Sequence, residues 1–369
     1  MRAHERNQPC WCGSGKKRKK CHGSATPEAP SIWDIRKQLQ KLHATKDCLH
    51  PSAGPDTCRG GVIRAHTVRR AADLLAIAKA GHVYQVDSDI ATLQRTSGRV
   101  SAKLVGINSA STFWGFCQIH DATTFSPLET EAFGPTDQQA FLLLYRPLAK
   151  ELYLKLRARE SAKIARGAAL ARGNRALASQ IEGVQCGIDH AIKELQHYKA
   201  NLDAQLVAGD IKDIRYCAVL IDRPPDIMCS GIVQPRATFA GEELQDLSDL
   251  DHVLGIVSFS LVACGTRGAA VFSWPSECDA VAGDLVDSLL SLPREEIPAA
   301  LIRYAFSEFE NIFIRPDWWD GLASSTRKLL EDRMQHNVGW MNQTSSGYLL
   351  DDGVRPAEWV VTDLQQRRA

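Results

Sequence analysis

The sequence predicts an α+β protein with a small amino-terminal module, a central α+β unit, a long helical hairpin, and a carboxyl-terminal α+β domain on an antiparallel sheet. Three observations carry this. Cysteine and histidine concentrate between Cys10 and His22 and again between Cys48 and His120. From Asp137 to about Gly209 the chain has few prolines and repeats apolar residues at Phe141, Leu144, Leu148, Leu152 and Leu156, the spacing of helix. From Ile211 strand-like segments precede helical ones, the order of an α+β domain. The expected division is 1–24, 25–45, 46–136, 137–210 and 211–369.

A chain of 369 residues is long enough for two or three domains. Its charged fraction of 24% and hydrophobic fraction of 44% are those of an ordinary globular protein. The net charge of +1 excludes a global field toward nucleic acid or a membrane, but local charge is uneven. Seven Lys and Arg face Glu5 alone between Met1 and Gly23, and nine face Glu151 and Glu160 between Arg146 and Arg175. No apolar stretch approaches the ~20 residues of a membrane span, and the polar, basic start lacks the apolar core of a signal peptide. Eleven cysteines, an odd number partly in ligand-like spacing, fit a reducing compartment better than a disulfide scaffold, so the expected location is cytoplasmic.

In Asn7 to Gly23, NQPCWCGSGKKRKKCHG, the residues Cys10, Cys12, Cys21 and His22 are enough to close a tetrahedral structural zinc site with no open position. Gly13, Ser14 and Gly15 let the backbone fold back so that the second pair reaches the same ion. The segment has almost no apolar residues to bury, so metal binding would supply its folding free energy. GSGKK lacks the wider Gly-to-Lys spacing and the preceding strand of a phosphate-binding loop.

PCWCGSGKKRKKCHG resembles the SEC-C motif, the short zinc module found at the carboxyl end of the bacterial secretion ATPase SecA and in many otherwise unrelated bacterial proteins. Arg18 stands where the family usually has an aromatic residue. The resemblance implies that Cys10, Cys12, Cys21 and His22 are the ligands. It further implies a non-catalytic module that binds a protein partner, such as the chaperone SecB, or the ribosome.

Ser24 to Pro30 reads as a linker, and Ser31 to His43 has helical spacing with Ser31 as its cap. A second cysteine and histidine region follows. Cys48 and Cys58 lie on one loop, the strand-like Gly60 to Ala65 ends at His66, a helix is expected over Val68 to Ala80, and strands around His82 to Val86 and Val100 to Ile107. TFWGFCQIHD then places Cys117 and His120 at Cys-x-x-His spacing beside Asp121. Cys48, Cys58, Cys117 and His120 would make a second zinc site, Cys₃His, of the treble-clef sort. The plainer alternative is that Cys117 is a buried small apolar residue, His120 caps a turn, and Cys48 and Cys58 are free thiols.

The order Cys, Cys, Ala65-His66, Asn108, then Cys-x-x-His is similar to HNH nucleases. That similarity implies His66 as general base, Asn108 as the orienting residue, and His120 or Asp121 as ligand of a catalytic Mg²⁺ or Mn²⁺. The span from Cys58 to Lys155 also resembles a family of bacterial proteins that carry SEC-C or related zinc modules, which favours one continuous central unit.

Gly167, Gly173 and Gly183 offer places to break the helical run into a hairpin, and SAKIARGAALARGNRALASQ is expected in solvent. Strands are expected at Tyr216 to Ile221, Met228 to Val233, and a hairpin of Gly255 to Ala263 with Ala269 to Trp274. Helices are expected at Asp279 to Leu292, Glu295 to Phe309 and Leu322 to Gln335, while the last thirty or so residues stay unassigned. Trp318 and Trp319 read as packing at a junction. Two functions follow. One is a zinc-binding protein engaging a protein or ribonucleoprotein partner, or nucleic acid, through its SEC-C module and the basic helices Arg146 to Arg175. The other is an HNH-like nuclease acting in defence against foreign nucleic acid.

Overall fold

The computed structural model describes residues 7–10, 14–21, 30–87, 96–131, 133–249, 251–338 and 346–368. An eight-stranded sheet forms the centre, built from β2 (His82–Asp87), β3 (Ser101–Gly106), β5 (Ile214–Ile221), β6 (Ile227–Val233), β7 (Val257–Cys264), β8 (Arg267–Pro275), β9 (Ile312–Ile314) and β10 (Val361–Arg367). Its order is β10-β5-β8-β7-β6-β9-β2-β3, and every neighbouring pair is antiparallel. A separate two-stranded ladder pairs β1 (Val62–His66) with β4 (Thr112–Cys117). The protein is thus α+β, with the antiparallel sheet and helical hairpin that its sequence predicts.

The central strands read as near-continuous apolar runs because they are covered on both faces: Val257 to Ala263 of β7 are all buried. One cover is the first half of α3 (Asp137–Ala171), which lies against β5, β6, β7 and β8. α5 (Asp279–Leu290) and α6 (Ile297–Glu308) also pack on the sheet, against β8 and β6. Trp319, in α7 (Pro316–Gly321), stacks on Phe306, and α8 (Ser324–Val338) packs on α6. The expected packing role of the tryptophan pair is what Trp319 performs.

The hairpin consists of α3 and α4 (Arg175–Ala208). Thr136 caps the first by accepting from the Gln139 amide at 3.2 Å, and Asn174 caps the second through Leu177 at 3.0 Å. The chain reverses at Gly173, whose φ of +73° is a left-handed turn that favours glycine, whereas Gly167 and Gly183 remain inside the helices. Ser31 caps α1 (Ile32–His43) as predicted, with a reciprocal bond to Asp34.

Two differences from the sequence reading bear on function. The helix expected over Val68 to Ala80 is only a π-turn, Arg70–Leu74, followed by the single turn Leu75–Ile77. The segment is pinned by a buried ion pair instead: Arg69 and Asp73 meet at 2.6 Å, Arg69 donates to the Ala263 carbonyl at 2.7 Å, and the Ala263 amide donates to Asp73 at 2.8 Å. In addition, β2 and β3, which lie in the expected 46–136 unit, complete the sheet of 211–369 by pairing β2 with β9. The final strand β10, unassigned from sequence, closes the other edge against β5.

Candidate metal centre

Four elements bring the second cluster together. The loop carrying Cys48 runs beside β4, with the Leu49 amide donating to the Gly115 carbonyl at 2.8 Å. Cys58 precedes a turn at Gly60 and Gly61, both with left-handed φ; a Cβ on Gly60 would lie 2.3 Å from the Gln118 amide oxygen, so only glycine lets the turn sit on the next element. β4 ends at Cys117, which caps α2 (Gln118–Glu129), and the first turn of that helix carries His120.

The four ligand atoms lie within 4.8 Å of one another. His120 Nδ1 stands 3.4, 3.7 and 3.3 Å from the sulfurs of Cys48, Cys58 and Cys117. A tetrahedral ion with bonds of about 2.3 Å to sulfur and 2.0–2.1 Å to nitrogen puts S and N about 3.6 Å apart. These residues therefore fit one metal ion. The set is closed, since four protein donors complete a tetrahedron.

Burial pushes the Cys48 thiol up to about 11. Burial acts the same way on Cys117, but hydrogen bonds from the backbone of His120 and Arg59 outweigh it and bring that thiol below its ordinary value. A metal ion favours the thiolate in all three. His50 stacks on the His120 ring at 4.0 Å, and burial lowers its imidazole to about 4, so it is neutral beside that ring.

The hairpin grips this loop. Lys199 donates to the Leu49 carbonyl at 2.8 Å and pairs with Asp203 at 2.6 Å, Tyr153 donates to the His43 and Thr45 carbonyls, and Arg157 pairs with Asp47. Other members of the basic run are also engaged. Arg146 is buried against Glu129 at 2.8 Å, and Lys155, Arg159, Lys163 and Arg166 meet Glu151, Asp189, Glu160 and Glu182. The cationic stripe expected from Arg146 to Arg175 is thus largely neutralised by its own carboxylates.

His66 and Asp121 are half-buried, and among the described residues His66 Nδ1 and Asp121 Oδ1 have no hydrogen-bond partner. Burial, then Arg70 and Arg146, lowers His66, while burial raises Asp121 against the pull of Arg146. Asn108 is exposed, and its side-chain oxygen accepts from Arg70 at 2.9 Å. The residue that holds the chain after His66 is Ser111, whose hydroxyl bonds Thr67 Oγ1 at 2.5 Å and accepts from the Val68 amide at 2.8 Å. Nothing in the sequence marks Ser111, because its role depends on a left-handed φ of +61°.

In the amino-terminal module, Cys12 and His22 lie outside the described residues. Cys10 and Cys21 are placed on a tight turn in which the Cys10 amide donates to Lys16 at 2.8 Å, the Arg18 amide to Gln8 at 2.9 Å, and Ser14 Oγ meets Cys21 Sγ at 3.1 Å. Gly15 has a left-handed φ of +69°. Lys16, Lys17, Lys19 and Lys20 are exposed. The family model of the SEC-C motif matches residues 6–24, the segment that holds this turn. No match is found among curated proteins or solved structures. No described helix is long and apolar enough to cross a membrane.

Proposed function

We propose that this is a cytoplasmic zinc protein that engages a protein or ribonucleoprotein partner through its SEC-C module, with a second zinc holding the central unit together in treble-clef order. The observation that supports it best is the closed Cys₃His set, which offers a metal ion four protein donors and leaves no position for a substrate. Three sulfurs and an imidazole in tetrahedral array select zinc among the common divalent ions. Recognition then falls to the amino-terminal turn, where four exposed lysines stand on a backbone that the ligands hold rigid, so little freedom is lost on binding. Elemental analysis should find two zincs per chain. Capture of partners from bacterial lysate should fall with Cys12→Ser and weaken with salt; equal recovery by the variant at low and high salt would remove the module from recognition.

A second reading, an HNH-like nuclease using Mg²⁺ or Mn²⁺ against foreign nucleic acid, is favoured by one observation. Among the described residues His66 Nδ1 and Asp121 Oδ1 are buried without partners, near the same two charges, Arg146 and Glu129. An in vitro assay on DNA and RNA decides it. Cleavage that needs added Mg²⁺ or Mn²⁺ and disappears in His66→Ala at unchanged zinc content would establish this reading, and no stimulation by either ion would end it.

A further inference from the structure

We propose that the cavity between α3, β2, β6 and the start of β9 binds a small zwitterion of the free α-amino acid class, its carboxylate on Lys150 and its ammonium on Glu310. The cavity measures about 460 Å³, within the range of small-molecule sites. Its walls come from elements that the sequence keeps far apart, and Asn311 ties them together by donating to Thr67 Oγ1 at 2.9 Å and to the Ser230 carbonyl at 2.7 Å.

The charges of this cavity are unevenly satisfied. Lys155 is paired with Glu151 at 3.4 Å, and Glu308 accepts from the Tyr348 hydroxyl. Burial pushes the Glu308 carboxyl up to about 7, so near neutral pH it does not count as a full negative charge. Lys150 and Glu310 differ. Both line the cavity and feel each other's charge, yet among the described residues neither makes a hydrogen bond or ion pair.

An ammonium held among protein atoms without a partner is costly, and here burial lowers the Lys150 amine to about 8 despite Glu151 and Glu310. A cation and an anion that share one cavity without meeting leave a gap that a molecule carrying both charges can bridge. Each end then gains a charge-assisted bond that the protein does not make by itself. A simple anion would satisfy Lys150 and leave Glu310 facing it, which disfavours acetate-like or phosphate ligands. The side chain of such a ligand would meet Phe309 and Pro147, and Gln85, whose side-chain amide makes no bond among the described residues, can adapt to it.

Thermal denaturation and calorimetric titration of the full chain with each of the twenty free L-α-amino acids test this, with propionate, inorganic phosphate and propylamine as single-charge controls. The expected result is that at least one amino acid raises the Tm by about 3 °C or more at saturating concentration. Its Kd should rise at least about tenfold in both Lys150→Met and Glu310→Gln, and the controls should shift nothing. Lys150→Met removes an unpaired charge, so its ligand-free Tm should match or exceed wild type. Should that variant fail to fold, Glu310→Gln, at a solvent-exposed rim position, carries the same test. No shift with any amino acid, a control that shifts as much as the best amino acid, or unchanged affinity in the variants overturns the proposal.

Discussion

The two cysteine- and histidine-rich segments of this chain offer the same donors in opposite settings. In the amino-terminal module Cys10 and Cys21 sit on one short turn held by backbone bonds, with the Ser14 hydroxyl against Cys21 Sγ. In the central unit Cys48 and His120 are 72 positions apart, and the site is built on a strand, a helix cap and a loop that the hairpin grips through Lys199, Tyr153 and Arg157. A metal ion in the first setting would order a short turn. In the second it would close a long loop and restrict the unfolded chain strongly. Similar ligand chemistry would then do different mechanical work, and the contrast can be measured.

The largest effect should come from the central ligands. Cys117→Ser should lose one metal ion and destabilise the protein by more than about 5 kcal/mol, since metal binding free energy becomes folding free energy. Urea denaturation with metal analysis would show it, and equal metal content in wild type and variant would dissolve the comparison. Cys186→Ser, at an exposed cysteine outside the cluster, should leave metal content unchanged.

Next in size is the lock between the central unit and the sheet. Asp73→Asn leaves Arg69 buried beside a neutral amide and should cost about 3–4 kcal/mol. If the unit is as embedded as Arg69, Ala263 and the β2–β9 pairing make it, unfolding should stay a single transition in this variant. Two separated transitions would show instead that the central unit folds apart from the sheet.

The smallest effects belong to the amino-terminal module. A chain beginning at Ser31 should lose one zinc but keep its stability to within about 0.5 kcal/mol, because the module carries a self-contained ligand set followed by the Pro- and Ala-containing stretch Ser24 to Pro30. A drop in Tm along with the lost zinc would show the module to be packed into the body. Replacing Lys16, Lys17, Lys19 and Lys20 together by Gln should leave Tm unchanged and flatten the salt dependence of association, since each phosphate neutralised releases about one counterion. An unchanged salt slope would move the contact elsewhere.

Several features were written locally and could be read locally. The ligand spacing of the module, Ser31 as a cap, the strand and helix periods after Ile211, and a hairpin reversal at one of the glycines Gly167, Gly173 and Gly183 each depend on neighbours a few residues away. The Cys-x-x-His at Cys117 and His120 belongs with them, because both residues lie at the start of one helix.

What only the tertiary structure decided depends on pairing across long separations. Alternation marks β2 as a strand without saying that its neighbour is β9, so the sequence divides what the sheet joins. A lysine or arginine on a helix looks solvated until an element from elsewhere supplies Glu129 to Arg146 or Asp47 to Arg157. The left-handed Ser111 that steadies the chain after His66, and Lys150 and Glu310, which share one cavity and pair with no described residue, are likewise products of packing. Local backbone preferences and ligand types are properties of short stretches of chain. Which charges meet, and which are left facing open space, is settled only when distant elements come together.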